Sequence, residues 1–176
     1  MLNDLFVDIL RFANQGGDVI WVLLPVSIVL WLLIIERYWF IYLVYPRMYN
    51  QALDVWLARD DDSSWYAHKI REAMISQNEQ LLAARLSTIK TLIAICPMLG
   101  LLGTVTGMVG VFDTIAIMGN SDAKAMAAGI YRATLPTMSG LVLALSALYF
   151  NHHLQQKKSQ LIDALSSQLL THKEAA

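Results

Sequence analysis

Three long apolar runs, separated by polar stretches, dominate the pattern of this chain. The first lies between Asp18 and Glu36 and reads IWVLLPVSIVLWLLII at its centre. The second runs from Thr91 to Met118, and the third, AMAAGIYRATLPTMSGLVLALSALYF, from Ala125 to Phe150. Each can carry a helix across roughly 30 Å of hydrocarbon. Helices keep every backbone group bonded inside a bilayer, which also lets the first run tolerate Pro25. The pattern predicts an all-α integral membrane protein: three transmembrane helices, at 18–36, 91–118 and 125–150, extended into a cytoplasmic helical bundle.

The polar stretches carry their own periodicity. Over residues 1–17, Leu2, Leu5, Phe6, Ile9, Leu10, Phe12 and Ala13 share one helical face, an amphipathic helix suited to a membrane interface. Asn14 to Gly17 break it. Glu36 and Arg37 mark the exit of the first span, and Tyr38, Trp39, Tyr42 and Tyr45 form an aromatic interface belt. Within residues 37–90, Pro46 is expected to end the helix continuing from that span. Beyond it, Leu53, Trp56, Leu57, Trp65, Ile70, Met74, Leu81, Leu82 and Leu86 predict amphipathic helices that bundle outside the membrane, with His68 on their surface. Asp60, Asp61 and Asp62 read as a solvated loop, because no further ligands are spaced around them. Residues 119–124 form a tight turn, and 151–176 a final helix with an apolar stripe at Leu154, Leu161, Leu165 and Leu169. The adjacent His152 and His153 diverge by about 100° on a helix, which suits an interface better than a metal.

The second span has a feature an apolar run does not need. Gly100, Gly103, Gly107 and Gly110 recur at intervals of three, four and three residues, one stripe of a helix without side chains. In water each interior glycine would weaken a helix by up to about 1 kcal/mol relative to alanine. In a bilayer such a seam lets neighbouring backbones approach closely. The third span answers with Gly129, Ala133, Thr137, Gly140, Ala144 and Ala147.

Two ionisable residues stand inside the spans, where charge is costly and marks either a pairing or a pathway. Asp113 lies about nine residues before the centre of the 119–124 turn and Arg132 about ten after it. Both then fall at nearly the same depth, and a pair between them is expected, within one subunit or across a subunit boundary. Such a pair would fix helix register or take part in ion transfer. Thr104, Thr106, Thr134 and Thr137 either bond back to a carbonyl one turn earlier or serve a polar path. Threonine does not titrate at neutral pH, so a proton path would take its acid from a partner helix, with hydroxyls orienting water around it.

Composition narrows the class. The chain has 176 residues, is 56% hydrophobic and only 15% charged, and has a formal charge of −1, which excludes an ordinary soluble domain and gives no signal for nucleic acid. Its single cysteine, Cys96, reads as a small buried hydrophobe. No nucleophile–base set, phosphate loop or zinc pattern makes a case for an enzyme, a cofactor or a metal. Lysine and arginine number seven in the 37–90 segment and three after Phe150, against Arg11 alone before the first span and Lys124 alone in the turn. That asymmetry places the large segment and the C-terminus in the cytoplasm and the N-terminus outside, periplasmic in a bacterial inner membrane.

The run GLLGTVTGM in the second span, followed by GIYRATLPTMSGL in the third, resembles the ExbB/TolQ/MotA family of proton-channel subunits, and most of all the small ExbB subunits of TonB systems. The resemblance implies an ExbB homopentamer whose second and third helices line a central pore holding single-span ExbD helices. An ExbD aspartate would be the titrating acid. Proton-motive force would drive motion passed to TonB, energising outer-membrane transport. By position, Thr104 in GLLGT and Thr137 in LPTMSGL match the family's pore-facing threonines. Arg132 stands where many members carry a glutamate, GIYRAT against GIxEAL. Two rival readings remain: a TolQ-like or other rotary stator subunit, and a non-conducting membrane scaffold whose glycine seams serve assembly alone.

Overall fold

The computed structural model describes residues 7, 10–14, 16–58, 64–118 and 123–171. Its elements are all helical: α1 (Asp18–Trp39), a π-helical turn (Phe40–Val44), α2 (Tyr45–Leu57), α3 (Trp65–Ala83), α4 (Leu86–Met118) and α5 (Ala123–Thr171). Among the described residues, three helical stretches are long and apolar enough to cross a membrane. The Asp60–Asp62 run, the turn at 119–122 and most of the N-terminal apolar face (Leu2, Leu5, Phe6, Ile9) lie outside the described residues.

The helix leaving the first span does not end at Pro46. Proline lacks the N–H for the next helical bond and its ring crowds the carbonyl four residues earlier. Here the five residues before α2 widen into a π-helical turn, in which the Tyr45 N–H bonds the Phe40 carbonyl. Pro46 then sits in the first turn of α2, where a missing N–H costs nothing. One wider turn absorbs the proline and the chain stays helical.

The chain divides into two compact units. In the first, Met1–Leu32 with Lys90–Leu148, α4 and α5 run antiparallel with their small residues face to face. A Cβ built on Gly107 would stand 2.6 Å from that of Ala133, and one on Gly140 only 2.5 Å from the Cys96 carbonyl oxygen. Gly103 is closed off by the Pro136 ring. Gly110, the last glycine of the stripe, has no atom of the described residues within 4 Å of such a Cβ. Ala13, Ile20 and Leu135 form a small buried cluster with Leu24 against it. Large apolar side chains such as Leu101, Val105, Phe112, Val142 and Leu145 are exposed. On a soluble protein such a surface would mark an interface, and on a membrane helix it meets lipid or another subunit.

The second unit, Leu33–Ile89 with Tyr149–Ala176, has a core of Trp56, Ala67, Leu165 and Leu169, with Tyr49, Leu53, Met74 and Ile75 packed against it. The tail's apolar stripe is thus half of this core. Leu57, at the end of α2, is exposed, and on α3 Trp65 and Ile70 stand on the exposed side, because the face that α3 turns inward begins with the small Ala67 rather than with its tryptophan. Ser64 caps α3, its hydroxyl accepting the Ala67 N–H at 3.1 Å. Between α3 and α4, Arg85 adopts a left-handed backbone (φ 62°). Its guanidinium reaches Glu36 at 3.3 Å, and the same carboxylate lies 3.3 Å from Nε of the buried Arg37. Arg37 also donates to the Leu81 carbonyl at 3.3 Å.

Candidate functional site in the membrane helices

Seven hydroxyls of the second and third spans sort into two kinds. Thr104 donates to its own helix at the Leu101 carbonyl (2.7 Å), Thr106 at Leu102 (3.0 Å), Thr114 at Gly110 (2.8 Å) and Thr134 at Tyr131 (2.9 Å). Ser139 and Ser146 do the same, on Leu135 and Leu143. This is the ordinary behaviour of hydroxyls at membrane depth, where an unbonded proton donor is costly. Thr137 differs: it crosses to α4 and donates to the Gly100 carbonyl at 2.8 Å.

The glycine seam creates that bond. A Cβ on Gly100 would come within 2.9 Å of both the Pro136 carbonyl oxygen and the Thr137 Cα, so only glycine admits this approach. Pro97 and Pro136 both lie inside their helices, in the turns where α4 and α5 come closest. The two residues matched to the family's threonines therefore have different settings. Thr104 is half-buried and bonded locally, while Thr137 is half-buried and tied to the neighbouring helix.

Asp113 and Arg132 do not meet within the chain. Both side chains are exposed, and neither makes a hydrogen bond or ion pair among the described residues. Their depths also differ. With Gly107 facing Ala133 and Val111 facing Gly129, Arg132 lies level with about Met108, five residues from Asp113. That is roughly 7.5 Å along the axis. The expected equal depth fails because the register is set by the fit of small residues, not by the midpoint of the connecting turn. Arg132 instead borders a cleft of about 480 Å³ that it shares with Gly17, Asp18, Thr106, Gly110 and Thr114.

Sequence reasoning did not anticipate the Gly100 carbonyl or Pro136 as parts of this arrangement. A backbone acceptor has no side-chain signature, and the only available signal was the alignment of GLLG with LPT on antiparallel helices. Among the described residues no group of three His, Cys, Asp or Glu side chains could hold a metal ion.

Antiparallel glycine-seamed spans, hydroxyls at depth and a helical bundle define a multi-pass α-helical membrane protein. Residues 43–167 match the model of the MotA/TolQ/ExbB proton channel family, and the chain belongs to that family. It is 38% identical over 78 residues to the biopolymer transport protein ExbB-like 1 of Synechocystis sp., a match covering 43% of this chain and 31% of that protein. It is 45% identical over 60 residues to a biopolymer transport protein ExbB homolog of Methanothermobacter thermautotrophicus, covering 34% and 21% of the two chains. A second Synechocystis relative, ExbB-like 3, is 36% identical over 78 residues, covering 43% and 37%. The matched stretches thus span between about a fifth and about two fifths of the relatives' own lengths.

Proposed function

We propose that this chain is an ExbB-like motor subunit of a bacterial inner membrane. Several copies, five by the family resemblance, form a ring whose second and third spans surround single-span ExbD-like helices. Proton-motive force acting there drives a TonB-like protein that energises outer-membrane transport. The N-terminus lies in the periplasm and the C-terminus in the cytoplasm, in keeping with the lysine and arginine counts on the two sides. The observation that carries the reading is the family match over residues 43–167, which holds the paired motifs GLLGT and LPTMSGL. Thr104 and Thr137 then border the proton route, and the acid that titrates comes from the ExbD-like partner.

A non-conducting scaffold is the second reading, favoured by the way each of these threonines is already bonded to a backbone carbonyl. The mass of the detergent-extracted complex, expressed with and without a genomic one-span neighbour, separates the two. A multi-copy ring that captures the neighbour and conducts protons in liposomes is the expected result. A single copy or a dimer that ignores the neighbour overturns the motor and leaves the scaffold.

A further inference from the structure

We infer that Asp113 of one copy of this chain pairs with Arg132 of the next, and that this contact joins neighbouring copies at membrane depth. The inference rests on the multi-copy reading above. Asp113 and Arg132 are the only Asp, Glu, Lys or Arg residues in the segments 91–118 and 125–150. Each is exposed and has no ion pair among the described residues of its own chain; Asp113 shares its face with the exposed Val109 and Ile117, and Arg132 opens onto the cleft it shares with Thr106 and Thr114. A lone charge in a span is rare because it is costly, and it is normally found with an opposite charge. One chain carries one of each sign on two different helices. A repeated head-to-tail contact therefore satisfies both charges of every copy once the rotation between copies closes a ring.

The register permits this. Arg132 lies about five residues deeper than Asp113 from the α4–α5 turn. Side chains on a helix lean toward its N-terminus. On α5 that direction points back toward the turn, so the long arginine stem carries its guanidinium toward the level of Asp113. Among the described residues, Asp18 is the acid that shares the cleft of Arg132, without forming an ion pair with it. Asp18 sits in the first turn of α1, where the helix dipole already favours a carboxylate.

The test is complementation between chains, read as the mass of the extracted complex. Asp113→Arg expressed alone and Arg132→Asp expressed alone should each lose the multi-copy species. Expressed together with different tags, they place arginine against aspartate at every mixed contact. A ring of five keeps one like-charged contact, because two kinds of chain cannot alternate around an odd ring. The multi-copy species should then return in part, with each tag retrieving the other. Two defective variants that stay defective together overturn the pairing, as do two variants that assemble normally alone. Recovery only when both changes lie on one chain assigns the pair to a single copy and also overturns it. If Arg132→Asp fails while Asp113→Arg assembles, or if Asp18→Asn reproduces the loss, the partner of Arg132 is a different acid. A wild-type chain that extracts as a single copy instead overturns the functional reading beneath the proposal.

Discussion

Thr137 holds α5 to α4 by donating its hydroxyl to the Gly100 carbonyl at 2.8 Å, across a gap that no side chain larger than hydrogen could share. Interhelical hydrogen bonds in membranes contribute about 0.6 kcal/mol on average and up to about 1.7. Thr137→Val, close in shape, should therefore lower the thermal midpoint in detergent slightly without dissociating the helices. Thr104→Val should leave the midpoint unchanged, since its hydroxyl bonds only its own helix. Proton flux in liposomes containing the one-span partner then becomes the informative readout. A loss of flux in Thr104→Val at unchanged stability places that hydroxyl on the route, and full flux in both variants removes both from it.

The glycine stripe makes a graded prediction along its length. Gly107→Ala drives a methyl into Ala133, and Gly100→Ala drives one into the α5 backbone and parts Thr137 from its acceptor. Overpacking of this kind costs about 1–3 kcal/mol. Gly110→Ala meets none of the described residues and should be neutral or slightly stabilising in the isolated subunit. Thermal melts of the three variants check the order. If Gly110→Ala is neutral in melts of the single chain yet disrupts the multi-copy complex, a neighbouring helix packs on that glycine.

The spans were legible in the sequence because length and apolarity alone decide whether a helix can cross a bilayer. So was the closeness of α4 and α5, since the stripe at Gly100, Gly103 and Gly107 and the facing Ala133 and Gly140 have no other use. The register was not. Turn geometry suggested that Asp113 and Arg132 stand level, but the fit of small residues against Pro136 and Ala133 outweighs a pairing between exposed charges. Pro46 was misread for a similar reason: the penalty of a helical proline is local, and a single π-helical turn between Phe40 and Val44 removes it. The Thr137 acceptor is backbone, which residue identity does not encode. Trp65 invites burial by its size, yet Ala67 occupies the core, and Trp65 lies outside with the Lys69 ammonium 6.0 Å from its ring centre.

Glu36 bridges Arg37 and Arg85 at 3.3 Å each and so ties the end of α1 to the elbow before α4. Arg37 is buried, while Glu36 is two-fifths exposed, so solvent screens part of the attraction. Glu36→Gln should destabilise by about 1–2 kcal/mol, because it leaves a buried guanidinium without its counter-charge. Glu72→Gln breaks an ion pair of two exposed partners, Lys69 and Glu72, and should leave the thermal midpoint essentially unchanged. Equal effects in the two variants would mean that Glu36 acts only as another surface charge. Arg85→Gly relaxes the left-handed backbone but deletes one arm of the bridge, so its net effect should be smaller than that of Glu36→Gln.

Tyr45 closes the π-helical turn through its backbone, while the residue is 1% exposed and its hydroxyl is buried without a hydrogen-bond partner among the described residues. The ring and the hydroxyl should therefore act in opposite directions. Tyr45→Ala removes a fully buried aromatic ring and should cost about 3–5 kcal/mol, as large-to-small core changes do. Tyr45→Phe keeps the ring and discards an oxygen that was desolvated on folding with nothing gained in return. Its thermal midpoint should be unchanged or higher. Both variants are read by circular dichroism melts in the same detergent. A loss of more than about 1 kcal/mol in Tyr45→Phe would show that the hydroxyl is bonded in the folded protein, with an ordered water as the natural acceptor.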